Sequence, residues 1–167
     1  MPLDSQTLRL TMRQWATGVT IVTSVVGTER SGMTVSSFTS VSLEPPTVLV
    51  CLNKNTRTHG YVAQSGVYAI SLLSANQESL SNRFAGLDPD LEDRFEGIPV
   101  TTAETGSPLL VGALAWLDCR VKQSIDTSTH TIYIGEVVDV QVHEENEPLI
   151  YHNRRYRWLV DFSPSKG

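Results

Sequence analysis

Two short stretches of the chain carry residue types that can hold a ligand. The first is "CLNKNTRTHG", residues 51–60. An apolar run ends at Leu52, polar residues follow, and a short helix begins near Thr58. Asn53, Thr56 and Arg57 then stand where a helix N-terminus, free main-chain N–H groups and a guanidinium converge, which is chemistry for a phosphate. The same residues also make an ordinary capped loop with a solvated Lys and Arg. Arg83, in "SNRFAG", adds a second charge to such a site or is simply a surface helix arginine.

The second stretch is "GMTVSSFTSVSLEPP", residues 32–46, which bears no charge before Glu44 and interleaves small hydroxyl residues with apolar ones. In an extended strand Thr34 and Ser36 point one way and Val35 and Ser37 the other. Such a strand can offer main-chain N–H and C=O groups and hydroxyls to a flat polar ligand. On pattern alone, an amphipathic edge strand with its Ser and Thr in water is the simpler reading. Other chemistries are absent from the sequence. It contains no G-x-G-x-x-G, no G-x-x-x-x-G-K-[ST] and no G-x-S-x-G. His59, His130, His143 and His152 lack metal-ligand spacing and there is no C-x-x-C, so no metal site is expected.

The elements that must position these residues follow from periodicity. Asp4 or Ser5 is expected to cap a first helix whose apolar stripe is Leu8, Met12 and Trp15, ending at Gly18. Strands are expected at Val19–Val26, along the 32–46 stretch after a connection at Gly27–Gly32, at Thr47–Asn53 as a central strand, and at Val67–Leu73. A short helix lies between the last two. Ser74 with Gln77 has capping-box spacing ahead of a further helix. Residues 87–112 form a long polar excursion with an acidic helical turn at "DPDLEDRF". Two long strands, "ALAWLDCRVKQSI" and "THTIYIGEVVDVQV", alternate with period 2, the first placing Leu117, Cys119 and Val121 against Asp118, Arg120 and Lys122. A short strand "RYRWLV" closes the chain. Strands dominate without βαβ alternation, so the expected architecture is mainly β, a closed or nearly closed antiparallel barrel with a few short peripheral helices.

Composition bounds the function. The chain has 167 residues, enough for one domain with a core, and 13 Lys and Arg against 18 Asp and Glu give a net charge of −5. That balance argues against a nucleic-acid partner, which needs a basic face. No run approaches the roughly 18 apolar residues of a membrane span. No apolar leader precedes the first helix, and Cys51 and Cys119 read as reduced core thiols, so a cytoplasmic protein is expected.

Taken in order, "WATGVTIVTS", "GMTVSSFTSVSLEPPTVLVCLNKNTRTH", "YAISLLSANQESLSNRFAG", "RFEGIPV", "THTIYIGEVVDV" and "PLIYHNRRYRWL" closely resemble the short-chain flavin reductases, the small partners of two-component flavin-dependent monooxygenases. The resemblance runs from about Met12 to Leu159. It implies a Greek-key split β-barrel in one flavin reductase-like domain over 1–167, usually a homodimer. It also implies reduction of FMN or FAD by NADH or NADPH, with reduced flavin passed to a partner monooxygenase. Residue by residue, it implies that Met33, Thr34, Val35, Ser36 and Ser37 lie along the flavin ring and ribityl chain, and that Leu52 and Asn53 border it. Thr56, Arg57 and Arg83, the last followed by Phe84, would meet the phosphate. His130 would stand near the nicotinamide as the catalytic-side histidine, and the loop from His152 to Tyr156 would help to hold the pyridine nucleotide. The chain departs from the family's usual text at Ser128-Thr129-His130, where Gly-Asp-His is common, and at Asn153-Arg154, where Arg-Gly is common. A pyridoxamine-phosphate oxidase-like split-barrel enzyme and a non-catalytic flavin carrier remain open alternatives.

Overall fold

The computed structural model describes residues 4–88, 90–143 and 146–161. In chain order the elements are α1 (Ser5–Met12), β1 (Thr17–Gly18), β2 (Thr20–Val26), β3 (Glu29–Val35), β4 (Phe38–Leu43), β5 (Pro46–Asn53), α2 (Arg57–Ser65), β6 (Val67–Leu72), α3 (Glu78–Phe84), β7 (Val100–Thr101), β8 (Leu109–Leu110), β9 (Ala115–Asp126), β10 (His130–Val142), β11 (Ile150–His152) and β12 (Arg155–Arg157). Seven strands form one antiparallel sheet in the order β3-β2-β6-β9-β10-β5-β4.

Its two edge strands, β3 and β4, are consecutive in sequence and joined only by Ser36 and Ser37. The three Cα steps from Val35 to Phe38 reach no more than about 11 Å, so the sheet must curl until its edges nearly meet. The result is a split β-barrel. The 32–46 stretch is therefore not one strand, as its composition suggests, but the end of one edge and the whole of the other. Cys51 N donates to Ser37 O at 3.1 Å and Ser37 Oγ donates to Cys51 O at 2.8 Å, fixing the crossing to β5.

Inside the barrel Val22, Val35, Val50, Leu52, Tyr68, Ile70, Cys119 and Tyr133 form one buried cluster, to which α2 adds Val62. A second cluster lies outside the barrel wall. There Ile21 of β2, Phe84 of α3, Phe95 and Leu110 pack together, so residues 87–112 are anchored rather than free.

Several local expectations change. The turn after β2 is only Gly27–Thr28, and β3 already starts at Glu29. Asp4 does cap α1, accepting from Gln6 N and Thr7 N, but the helix stops at Met12 and buries nothing. Leu8, Met12 and Trp15 are 48, 56 and 69% exposed. Ser74 is not the cap of α3, which begins at Glu78. Instead Ser74 N donates to Gln77 Oε1 at 3.0 Å, half of the anticipated box. The acidic 88–95 segment is turns and bends, with no helix among its described residues; Pro89 lies outside them. The closing strand is shorter than expected: Trp158, Leu159 and Val160 lie beyond β12 and are exposed. Cys51 is half-buried on the outer wall rather than in the core, whereas Cys119 is buried.

Alternation in the long strands also sorts differently. Asp118, expected in water, is fully buried, where it accepts from Thr105 N at 2.7 Å and from Thr105 Oγ1 at 2.5 Å. Burial pushes its carboxyl up from the usual range, and the Thr105 donors oppose that rise. In β10 the buried set is Thr131, Tyr133 and Gly135, while Ile132 and Ile134 face outward and half-exposed.

Candidate functional site

A cleft of about 510 Å³ opens where β3, the N-terminus of α2 and the 84–95 segment meet. Each wall has a local cause. β3 is an edge strand, hydrogen-bonded only to β2, so the main-chain groups on its other side are free of sheet partners. Gly32 lies where a Cβ would fall 2.9 Å from the Phe84 ring and 3.0 Å from that of Phe95, so only glycine lets this pair pack flush against the strand. The two rings meet edge-on with centroids 5.0 Å apart. Thr34 leaves the same face and donates to Ser81 O of α3 at 2.6 Å.

The second wall is the loop leading into α2. Asn55 N donates to Asn53 Oδ1 at 2.9 Å and Thr56 N to Asn53 O at 3.1 Å, which shapes the turn. Thr56 is the N-cap, its Oγ1 accepting from His59 N at 3.3 Å. Buried Thr58 locks the helix to β3 through a 2.9 Å bond between its Oγ1 and Ser31 Oγ. The first turn of a nine-residue helix is thereby held at the cleft mouth with its N–H groups and positive dipole end.

Arginines supply the charge. Arg57 lies at the mouth over the Tyr61 ring, hydrogen-bonded to Tyr61 Oη at 2.7 Å and paired with Glu29 at 3.3 Å. The Tyr61 hydrogen bond is the first reason that its guanidinium is held even more firmly protonated than usual. Arg30 pairs with Asp93 at 3.2 Å and stacks on Phe95. The Asp93 carboxyl sits below its ordinary range, chiefly because Phe95 N donates to it, with Arg30 adding to the effect. Arg94 Nη1 donates to Gly32 O at 3.1 Å and to Phe84 O at 2.9 Å, tying the 87–112 excursion to β3 and α3.

Two further clefts continue along β3. One of about 350 Å³ shares Thr34 and Ala85 with the first and adds Ser36, Tyr151, Arg154 and Tyr156. The next, of about 500 Å³, shares Ser36, Tyr151 and Arg154 and reaches Ser37 and α1. A trough thus runs along β3 from the Arg57 end to the Ser36–Ser37 crossing.

A family model described as "Flavin reductase like domain" matches residues 12–160. The chain belongs to the flavin reductase-like family. It is 41% identical over 151 residues to an FMN reductase (NADH) RutF of Agrobacterium fabrum, covering 90% of this chain and 86% of that protein. It is 34% identical over 154 residues to a flavin-dependent monooxygenase reductase subunit, HsaB, of Rhodococcus jostii, covering 92% and 77%. The solved Streptomyces globisporus NADH:FAD oxidoreductase SgcE6, in complex with NAD and FAD fragments, superposes with a TM-score of 0.85 at 36% identity. That match covers 100% of this chain and 98% of that one.

Within this flavin reductase-like chain, the residues singled out from sequence divide into groups. Met33, Thr34, Thr56, Arg57 and Phe84 line the first cleft, and Ser36, Ser37 and Tyr156 line its continuations. The Val35 and Leu52 side chains are buried in the barrel core, so these positions face the trough with main chain at most. Asn53 shapes the turn that leads into α2, and it is Asn55 that lines the cleft. Arg83 is not in the cleft. Its guanidinium donates to Arg94 O at 2.7 Å and to Glu96 O, and holds the excursion from behind. His130 and His152 line none of the three clefts. Sequence reasoning missed Arg30, Asn55 and Arg94. Asn55 was within reach, two residues after Asn53 in an Asx-turn spacing, but the two arginines become cleft residues only through tertiary packing.

Proposed function

We propose that this chain is an NAD(P)H:flavin oxidoreductase that reduces FMN or FAD and supplies reduced flavin to a partner monooxygenase. The observation that carries the reading is the trough along the open edge of β3, with an arginine and a helix N-terminus at one end, in a chain of the flavin reductase-like family. The residues fit such a group. Asn55, Thr56 and Arg57 would hold its phosphate. The open edge at the end of β3, Met33 to Val35, and the Ser36–Ser37 connection would offer to the ring those main-chain N–H and C=O groups that β2, Thr20 Oγ1 and Cys51 N do not already engage. Phe84 backs the strand through the gap left by Gly32. Bound flavin would supply the chemistry, taking a hydride at N5 from nicotinamide C4. The protein's part is to align the two and to place N–H donors where negative charge develops on the reduced ring. Purified protein with NADH and added FMN, FAD or riboflavin is expected to oxidise the nucleotide only when flavin is present. Flavin binding without nucleotide oxidation would overturn the reductase reading.

His130 is proposed as the nicotinamide-side residue. It opens β10 directly across from Asn53, and its Nδ1 is hydrogen-bonded to Thr129 Oγ1 at 2.8 Å. Its Nε2 has no hydrogen-bond partner among the described residues. His130→Ala is expected to raise KM for NADH about tenfold, with the flavin Kd changed by less than about threefold. Unaltered NADH kinetics would remove the role.

A homodimer in the cytoplasm completes the proposal. The outer wall of β5 and β10 carries Leu49 opposite Ile134 and Cys51 opposite Ile132, with Ile125 next to Ile132 on β9. Val140 and Val142 further along β10 are 56 and 65% exposed. An apolar sheet face of this breadth is covered in a stable protein, and a second copy of the chain provides a self-complementary cover. Ile134→Lys is therefore expected to convert a dimer to monomers in sedimentation velocity. A monomeric wild type, or a variant that stays dimeric, would reject this face as the interface. No helix among the described residues is long and apolar enough to cross a membrane.

A further inference from the structure

The far end of the trough, at the Ser36–Ser37 crossing, carries charge that the flavin site does not use. Arg9 and Arg13, one turn apart on and just after α1, line the cleft of about 500 Å³ together with Arg154. Among the described residues no acidic side chain lines it, and none of the three guanidiniums lies within salt-bridge distance of a carboxylate. In a chain of net charge −5 this is a local excess of positive charge.

The turn that presents Arg154 is built against local preference. Asn153 and Arg154 are the two-residue loop of the β11–β12 hairpin, with φ of 48° and 62°. Positive φ at both loop residues is the signature of a turn that favours Asn-Gly. Asn suits the first position, whereas a side chain at the second is strained, so glycine would be the easier residue. The turn is also fixed in place: Asn153 N donates to Arg13 O at 3.0 Å, bolting it to the end of α1. Exposed Trp15 stands in the same cleft as a surface on which a base can stack.

We propose that Arg9, Arg13 and Arg154 form a nucleotide-phosphate site that admits the 2′-phosphate of NADPH, so that this chain uses NADPH at least as well as NADH. The inference rests on the reductase reading above and adds the nucleotide it takes. Arg57 and the α2 N-terminus hold the anionic end of the flavin at one end of the trough. The three arginines hold the phosphorylated ribose of the nucleotide at the other, and the uncharged residues between, Thr34 and Ser36 among them, are left for the two stacked rings. Hydride transfer is the same from either nucleotide; only its anchoring differs. A 2′-phosphate carries close to two negative charges and accepts the paired N–H donors of a guanidinium, which a 2′-hydroxyl cannot match.

The test is kcat/KM for NADPH and NADH, each with FMN and with riboflavin, in the wild type, Arg154→Gly and Arg9→Ala. Glycine at 154 relieves the turn, so loss of fold is not a confounding outcome. The ratio of NADPH to NADH efficiency is expected to be one or more in the wild type and to fall about tenfold in Arg154→Gly, with a smaller fall in Arg9→Ala. A wild type that rejects NADPH, or an unchanged ratio in Arg154→Gly, overturns the site. A change in the FMN to riboflavin ratio at constant nucleotide preference also overturns it, by assigning the guanidinium to the flavin phosphate. Failure of both nucleotides with every flavin refutes the reductase reading itself, a result distinct from the others.

Discussion

Gly135→Ala should lower the melting temperature by roughly 6–12 °C, the equivalent of about 3 kcal/mol in a chain of this size. Gly135 lies on the buried face of β10, opposite Val48 of β5, and next to a register shift in its pairing with β9. A Cβ there would meet Tyr68 Oη and fall 2.8 and 2.9 Å from two carbons of its ring, distances that real Cβ atoms do not show. Tyr68 cannot retreat, because it is fully buried on β6 and packed among Val22, Val50 and Cys119. The strand must therefore move, and with it the pairing that holds His130 across from Asn53. Among the described residues Tyr68 Oη has no hydrogen-bond partner of normal geometry, and the Cys119 thiol beside it is a weak one. Burial pushes the Tyr68 hydroxyl far up and the Cys119 thiol up to about 12, so both stay neutral at any working pH. Tyr68→Phe removes an unpartnered polar atom and should leave stability unchanged or raise it. In the double variant it should restore part of the loss, since the nearest clash is gone while the ring contacts remain. Thermal unfolding of the four proteins measures the cycle. A Gly135→Ala protein that melts with the wild type would show that the barrel does not close over Tyr68 in this way.

The same residues show what could be read from sequence and what could not. α2 was legible because its signals are local: Thr56 caps it and Gly66 ends it in the left-handed conformation at φ 69°. β2, β5 and β6 were legible for the same reason, as β-branched and apolar runs between turn residues. The face of β10 was not. Ile132 and Ile134 are as apolar as Tyr133, so alternation marks a strand without saying which side enters the barrel. That is decided by the fit of Gly135 to Tyr68, a partner 67 residues away in sequence. The break at Ser36–Ser37 was hidden because two edge strands of one barrel share a composition, and only the sheet order reveals that they sit at opposite edges. Asp118 alternates like a solvent-facing residue and is buried by a loop, through Thr105, that no periodicity predicts. At the site, the α2 residues were legible through capping chemistry, whereas Arg30 and Arg94 enter the cleft only because Phe84 and Phe95 fold the excursion back on β3.

The sharpest functional consequence concerns the arginines, since sequence places Arg57 and Arg83 at one phosphate and the structure separates them. Arg57→Ala should raise KM for FMN about 10- to 100-fold while raising that for riboflavin less than about threefold, the difference expected for loss of a charge-assisted phosphate contact. Its effect on stability should be small. Arg57 pairs with Glu29 at 3.3 Å, but both side chains are largely exposed, 60 and 69%, and such pairs contribute under about 1 kcal/mol. Loss of the Tyr61 contact exposes no buried group, so the cleft should keep its shape. Arg83→Ala should do the reverse. Its guanidinium satisfies the carbonyls of Arg94 and Glu96, and without it the excursion that carries Arg94 and Phe95 loses one of its ties to α3, the Arg94–Phe84 O bond and the Phe84–Phe95 contact remaining. Unfolding temperature should fall, and FMN and riboflavin should lose affinity together as the cleft wall loosens. Steady-state kinetics with the two flavins, beside thermal unfolding, separates the roles. Equal losses of FMN and riboflavin in Arg57→Ala would deny it the phosphate. An FMN-selective loss in Arg83→Ala, at unchanged stability, would restore Arg83 as the second phosphate charge that the sequence suggested beside Arg57.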